Sequence, residues 1–251
     1  MDFNLFKIRC SSLSVLFTEP QSKSAKEAGE LSETAKKHLY EVYIEAKWGR
    51  SEDISTKEME KGKLVQDQIM DILSFMEDVI YKRNTERKSN EWITGEADII
   101  SDIVTDIKAS WKPSTFIPYL MGPIPAMYAY QNQGYMWLWD KPAARTVWGL
   151  VDCPEQILKK ERQKLLYSLD VASDEADEYK EAVKELEFQL TFGDIPLSQR
   201  LIIKKSIRDE EIISQIPEKV RRARKFLQLL DENHEKMANF VAGIADIEER
   251  A

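Results

Sequence analysis

Residues 95–111, GEADIISDIVTDIKASW, constrain the fold of this chain more than any other segment. Runs rich in Ile, Val and Thr lie on both sides of a Ser-Asp pair, a pattern that predicts two β-strands joined by a tight turn in an antiparallel hairpin. Each run also carries charge, Asp98 on the first and Asp106 and Lys108 on the second. Burying a charge costs free energy unless it is paired or coordinates a metal, so these three residues need a functional reason.

The hydrophobic pattern outside the hairpin predicts helices on both sides and two more strands. Apolar residues recur at helical spacing from about 32 to 48 and from Ser55 to about Tyr81, where one face carries Ile69, Leu73, Met76 and Ile80. Further helices are predicted over AMYAYQNQGYMWLW (126–139), from about 154 onward and over 209–240, and strands over TVWGLVDC (146–153) and RLIIKKSI (200–207). This order predicts a mixed α/β fold with a helical C-terminal region.

The composition argues against several classes of protein. Of the 251 residues, 43% are hydrophobic and 32% charged, and no run is long and apolar enough to span a bilayer. Two cysteines and two histidines make neither a disulfide framework nor a four-ligand zinc site, so we expect a cytoplasmic protein without membrane contact. The net charge of −8 argues against a chain that coats nucleic acid, but nine Lys or Arg within residues 200–225 leave room for a local DNA groove.

The charges of the hairpin have the composition of a divalent-metal site. Side chains alternate along a strand, so Asp106 and Lys108 share one face, and the hairpin partner can bring Asp98 next to them. Two carboxylates and a backbone carbonyl are oxygen ligands that suit Mg²⁺ or Mn²⁺, and a neighbouring lysine can orient water or stabilise charge on a phosphate. This combination suits phosphodiester hydrolysis. The alternative is an edge hairpin whose Asp and Lys side chains pair in solvent.

Four segments together resemble the PD-(D/E)xK nuclease superfamily, and within it the lambda-type, YqaJ-like viral exonucleases. Asp98 matches the motif aspartate, and Asp106-Ile107-Lys108 matches (D/E)xK. IRCSSLSVLF is similar to the family's opening Arg/Ser segment, EKGKLVQDQIMDIL to its G-x-x-x-E helix and YQNQGYMWLW to its Q-x-Q-x-x-M-W helix. The resemblance covers residues 8–140 in the order of the family. One position departs from it, because Gln66 stands where the family has a glutamate.

The resemblance implies a restriction-endonuclease-like core, with a central mixed β-sheet flanked by helices, in a single domain of residues 1–251. The core would span about 1–152 and a helix-rich extension about 153–251. It also implies a Mg²⁺-dependent exonuclease, with Mn²⁺ as an alternative ion, that digests linear double-stranded DNA ends 5′→3′ and leaves 3′ single strands. Its partners would be a single-strand annealing protein and further copies of the chain in a ring. A phage-encoded protein would act in the cytoplasm of a bacterial host.

The resemblance further implies roles for individual residues. The metal would be bound by Asp98, Asp106, the backbone carbonyl of Ile107 and Gln66, and the other catalytic residues would be Lys108 and Gln131. Contacts with DNA would come from Arg9, Ser12, Lys112 and Tyr135. The basic run EKVRRARKF at 218–226 is a second DNA-binding candidate or simply the solvated face of a helix.

Gln66 leaves three interpretations open. Asp67 substitutes for the missing acid if the helix is rotated, the site works with two acids, or the protein is impaired. Two other functions also stay open. The first is a RecB-like nuclease or an endonuclease of the same superfamily, and the second is a catalytically silent homologue that binds DNA ends or a recombination partner.

Overall fold

The computed structural model describes residues 2–51, 56–169 and 173–248. The α-helices are α1 (Lys23–Glu27), α2 (Glu33–Trp48), α3 (Lys57–Glu77), α4 (Pro113–Phe116), α5 (Pro118–Met121), α6 (Ala126–Trp139), α7 (Glu155–Ser168), α8 (Asp177–Leu190) and α9 (Glu210–Glu248). The strands are β1 (Ile8–Arg9), β2 (Lys88–Ser89), β3 (Ile93–Gly95), β4 (Ile99–Ile100), β5 (Val104–Ala109), β6 (Ala143–Gly149) and β7 (Leu201–Ile207). Among these residues, no helix is both long and apolar enough to cross a membrane.

A four-stranded mixed sheet forms the centre of the fold, in the order β4-β5-β6-β7. Strand β5 pairs antiparallel with β4 and parallel with β6, which pairs antiparallel with β7. All seven residues of β6 are buried, as expected for a strand with neighbours on both sides and helices on both faces. A second sheet of three short strands has the order β1-β3-β2. The predicted α/β fold with a mixed sheet is confirmed.

Alternate residues of β5 face two different helical layers. Val104 belongs to the core that contains Met136 of α6, whereas Ile107 belongs to the core that contains Ile69 and Leu73 of α3. Each fully buried aliphatic side chain of this kind stabilises the fold by roughly 1.5–3 kcal/mol. Helix α3 therefore covers one face of the sheet and α6 covers the other, with β5 between them.

Helix α3 is shorter than the sequence pattern predicts. Its N-cap is Thr56, whose hydroxyl accepts a hydrogen bond from the Met59 N–H at 3.3 Å, and the predicted start at Ser55 lies outside the described residues. The helix ends at Glu77 because Asp78 adopts the left-handed conformation, with φ 52°. The predicted continuation to Tyr81 is therefore wrong, and Ile80 is 89% exposed rather than part of the inward face. Met76 is also exposed, and the buried residues of the helix include Val65, Ile69, Ile72 and Leu73.

The predicted hairpin is present but short. Only Ile99 and Ile100 pair with β5, while residues 93–95 join the other sheet, so Asp98 precedes β4 instead of lying within a strand. The strand predicted over 146–153 runs over 143–149. A single helix, α9, occupies most of the C-terminal segment and contains Pro217.

Candidate active site

Asp106 of β5 is the most buried charged group of the site, with 2% of its surface exposed. The Lys108 ammonium donates to Asp106 Oδ1 at 3.1 Å and lies 2.9 Å from Oδ2. Among the described residues, Oδ2 has no hydrogen-bond donor of good geometry. The same ammonium lies 5.1 Å from the ring centre of Tyr128, a cation–π contact that helps to orient it.

Helix α6 supports Asp106 through two side chains one turn apart. Gln131 Nε2 donates to Asp106 Oδ1 at 3.0 Å and to the Tyr135 hydroxyl at 2.8 Å. That hydroxyl donates to the backbone oxygen of Glu96 at 3.1 Å. Because Tyr135 is only 4% exposed, its position does not support the predicted direct contact with DNA. It instead holds Gln131 against the carboxylate.

Asp98 faces Asp106 from the neighbouring segment. Its Oδ2 accepts a hydrogen bond from the Ile107 backbone N–H at 2.5 Å, and its Oδ1 accepts one from Gln66 Nε2. Burial, followed by the charge of Asp106, raises the pKa of Asp98 to about 7. Because the two carboxylates are close together and shielded from water, ionisation of one makes ionisation of the other less favourable.

The other charges of the site respond to the same burial. Burial raises the pKa of Asp106, even though Lys108 acts in the opposite direction. Burial alone lowers the pKa of Lys108, but the carboxylates of Asp106 and Asp98 outweigh this effect and raise it. Lys108 is therefore a protonated ammonium at neutral pH. Two carboxylates share this one ammonium, so the site favours an added positive charge.

Gln66 presents its amide nitrogen, not its oxygen, to Asp98. Gln66 Oε1 accepts a hydrogen bond from Arg83, whose Nη1 also lies 3.2 Å from Asp67 Oδ1. If the amide were turned over, its oxygen would face the Asp98 carboxylate and its nitrogen would face the Arg83 guanidinium. Neither contact could then form a hydrogen bond, so these two neighbours determine the orientation of the amide. Helix α3 turns Gln66 rather than the 62%-exposed Asp67 towards Asp98. In the described part of the chain, no three His, Cys, Asp or Glu side chains are grouped to hold a metal ion.

Comparison with known proteins identifies the family. No family model and no curated protein matches the chain. The crystal structure of a phage-related exonuclease from Haemophilus somnus 129PT matches it at 30% identity with a TM-score of 0.71, over 90% of this chain and 96% of that chain. The chain belongs to the lambda-type, YqaJ-like viral exonucleases of the PD-(D/E)xK superfamily.

Two further matches show the same fold at lower identity. The alkaline exonuclease of Laribacter hongkongensis is 13% identical with a TM-score of 0.61, over 95% of this chain and 96% of that one. A second structure of the Laribacter enzyme, which is called LHK-Exo, is a complex with dAMP. It is 14% identical to this chain with a TM-score of 0.58, over 96% of both chains.

The remaining predicted residues of this family member lie outside the carboxylate network. Arg9 and Ser12 line a cavity of about 590 Å³, which is also lined by Lys7, His38, Glu41 and Glu45. Arg9 is exposed and forms no ion pair with another described residue. Lys112 is exposed at the start of α4, three residues after β5 ends.

The basic run at 218–226 is largely occupied by contacts within the fold. Arg224 donates to the backbone oxygens of Phe6 and Glu91 at 2.9 and 2.6 Å. Arg221 and Arg224 both lie against the ring of Trp92, at 5.0 and 4.7 Å from its centre. These contacts attach α9 to the N-terminal segment and to the residues just before β3.

Sequence reasoning missed two residues of the site, Tyr128 and Arg83. Tyr128 lies three residues before Gln131 on α6, and residues at this spacing share a helix face, so this signal was available. Arg83 lies in an irregular segment after α3, where no periodic pattern indicates the direction of a side chain.

Proposed function

We propose that this viral-type exonuclease is a metal-dependent enzyme that digests linear double-stranded DNA from its ends, 5′→3′, and leaves 3′ single strands for phage-type recombination. The observation that carries the proposal is the group formed by Asp98, Asp106 and Lys108. Two carboxylates meet beside a single ammonium, and the contact of that ammonium with the buried Asp106 Oδ2 is an ion pair of 2.9 Å that lacks good hydrogen-bond geometry. Family membership supports the exonuclease activity itself.

The oxygen-rich donor set fits a divalent ion, Mg²⁺ or Mn²⁺. Asp98 and Asp106 would hold it together with the backbone carbonyl of Ile107, and Gln66 would contribute its oxygen once its amide turns from Arg83. Burial and the charge of Asp106 raise the pKa of Asp98, and a bound cation would favour the ionised forms of both carboxylates. When bound, the ion would polarise the scissile phosphate and offset negative charge that develops in the transition state.

The side chains divide the remaining work. The pKa of Lys108 is raised, so this residue acts as a charged donor that stabilises the phosphate oxygens or positions water, and not as a base. Asp106 and Tyr128 hold the ammonium in place. Gln131 fixes Asp106, and Tyr135 fixes Gln131.

The end of the DNA would be recognised beside this group. We assign Arg9 and Ser12 to a terminal phosphate, since an arginine that is unpaired among the described residues lines a cavity with a hydroxyl group beside it. Lys112 would contact the backbone of the duplex. A ring of several copies and a single-strand annealing protein complete the proposed system.

One observation favours a second candidate function, the binding of DNA ends without cleavage. The amide nitrogen of Gln66 faces Asp98, and within the described ranges no third acid joins the two carboxylates. A site with weak metal affinity would retain the DNA contacts and lose hydrolysis.

The test is digestion of end-labelled linear duplex DNA with Mg²⁺, with Mn²⁺ and with EDTA, and a closed circle serves as the control substrate. We expect metal-dependent loss of the linear DNA alone, abolished by Lys108→Ala. Cleavage of the closed circle would point to an endonuclease. If neither DNA is cut, the same assay with Gln66→Glu separates the candidates. Restored cleavage would identify a nuclease that lacks one acid, and continued inactivity together with binding would support the end-binding function.

A further inference from the structure

Arg83 reaches the edge of the carboxylate site, although its own segment belongs to no helix or strand. Its guanidinium donates to Gln66 Oε1 through Nη2 and lies 3.2 and 3.4 Å from the two oxygens of Asp67 through Nη1. Gln66 in turn donates to Asp98. A single amide group therefore separates a guanidinium from a carboxylate of the site.

The backbone beside Arg83 is tied to Asp98. The Asn84 N–H donates to the backbone oxygen of Asp98 at 2.8 Å, and Asn84 Nδ2 donates to the backbone oxygen of Ala97 at 2.9 Å. The next residue along the chain is thus bonded to the segment that carries the motif aspartate. This arrangement sets the position of the guanidinium before any substrate binds.

The charge of Arg83 is only weakly neutralised. The side chain of its acidic partner Asp67 is 62% exposed and that of Arg83 itself is 43% exposed. Water screens an exposed ion pair of this kind, and such a pair stabilises the fold only slightly. Its other partner, Gln66, is neutral, whereas a glutamate there would form a charged pair. A guanidinium has five N–H donors, and in the described chain Arg83 Nε has no acceptor. Donors and charge are both available.

We propose that Arg83 binds a backbone phosphate of the DNA strand that lies at Asp98 and Asp106, an inference that rests on the proposed nuclease function. A guanidinium matches the geometry of a phosphate with two parallel hydrogen bonds, which an ammonium does not. In the structure, Gln66 accepts a hydrogen bond from the guanidinium and, being neutral, does not cancel its charge. The simpler alternative is that Arg83 only fastens its segment to α3.

The experiment measures binding of a short 5′-phosphorylated duplex by fluorescence anisotropy in EDTA over a series of salt concentrations. Arg83→Met removes the charge and roughly keeps the length of the side chain. Arg83→Lys keeps the charge but cannot donate the two parallel hydrogen bonds of a guanidinium. Arg87→Met is the matched control, because Arg87 belongs to the same segment and, among the residues that the structure describes, its one ion pair is with the exposed Glu96 at 3.2 Å. Thermal unfolding of every variant checks that the fold is retained.

We expect Arg83→Met to weaken binding about tenfold and to lower the slope of log K against log salt by about 1, the signature of one lost phosphate contact. Arg83→Lys should keep the slope and lose part of the affinity. Arg87→Met should resemble the unmodified chain. A role confined to fastening the segment would change the unfolding temperature and leave the slope unaltered, and that result would overturn the proposal.

The cleavage assay on the unmodified chain separates this inference from the proposed function. If the unmodified chain binds DNA without cutting it, and Arg83→Met still lowers the salt slope, phosphate binding stands and hydrolysis fails. If the chain cuts DNA and Arg83→Met keeps the full slope, hydrolysis stands and the role of Arg83 is refuted. If the chain does not bind the duplex at all, both proposals are refuted.

Discussion

Replacing Gln66 by Glu tests the arrangement of the carboxylate site directly. In the structure, the amide nitrogen of Gln66 donates to Asp98 Oδ1. The substitution replaces this donor by a carboxylate oxygen and turns an attractive contact into a repulsive one. It also supplies the acid that the resemblance to the family predicts at this position.

The magnitude follows from the charges around position 66. Two unit charges about 4 Å apart repel by about 4 kcal/mol at an effective dielectric constant of about 20. Arg83 offsets part of this repulsion, because its hydrogen bond would gain a charged acceptor, worth roughly 1–2 kcal/mol more than a neutral one. We therefore expect the metal-free variant to unfold with a free energy about 2 kcal/mol smaller than that of the unmodified chain.

Urea unfolding at about pH 8, in EDTA and in excess Mg²⁺, measures this change above the pKa of about 7 of Asp98. Gln68→Glu is the matched control. Gln68 is exposed on the same helix, and its substitution by Glu adds the same negative charge. In Mg²⁺ the Gln66→Glu variant should gain more stability than the unmodified chain, since a third carboxylate binds the ion. Equal stability of the two Glu variants in EDTA would refute the contact between positions 66 and 98.

Three further changes test the packing around the site. Burial lowers the pKa of Lys61 to about 8, and the unfolded chain binds this proton more tightly, with a pKa of about 10.4. Stability should therefore rise by up to roughly 3 kcal/mol between about pH 8 and 10.4, and Lys61→Met should remove that rise from urea midpoints. A Cβ at Gly149 would lie 2.5 Å from Ile69 Cγ1, and one at Gly62 would meet nothing within 4 Å. Gly149→Ala should accordingly lower the free energy of unfolding by about 1–3 kcal/mol, whereas Gly62→Ala should raise it by about 0.5–1 kcal/mol. Equal shifts of the two unfolding temperatures would contradict this packing. Glu77 lies 2.6 Å from the buried Arg145, so Glu77→Gln should cost about 2 kcal/mol in unfolding free energy, while Glu86→Gln at an exposed position should cost nothing measurable.

Much of the candidate site could be predicted because its chemistry is concentrated in short segments. Asp106 and Lys108 are two residues apart on one strand, and strand alternation alone puts them on the same face. Gln131 and Tyr135 are four residues apart on one helix, and the structure joins them by a hydrogen bond of 2.8 Å. Their roles in catalysis stay predictions until the variants are measured.

Helix α3 shows where local patterns stop being informative. Its apolar spacing predicts the helix and Ile69 on its inward face. The same spacing extends to Ile80, yet Asp78 adopts a left-handed conformation and leaves Ile80 89% exposed. The end of the helix depends on a single backbone conformation that an aspartate adopts only in some surroundings.

The sequence by itself determined the mixed α/β fold through its periodicity, and strand alternation placed Asp106 and Lys108 on one face. The motifs of four segments carried the resemblance to the family. Only the tertiary structure decided that Gln66, not Asp67, faces Asp98, that Arg83 holds the oxygen of Gln66, and that Tyr135 is buried. These contacts join segments separated by many residues. Their geometry depends on how α3, α6 and the sheet pack together, and no local pattern encodes the angle at which two distant elements meet.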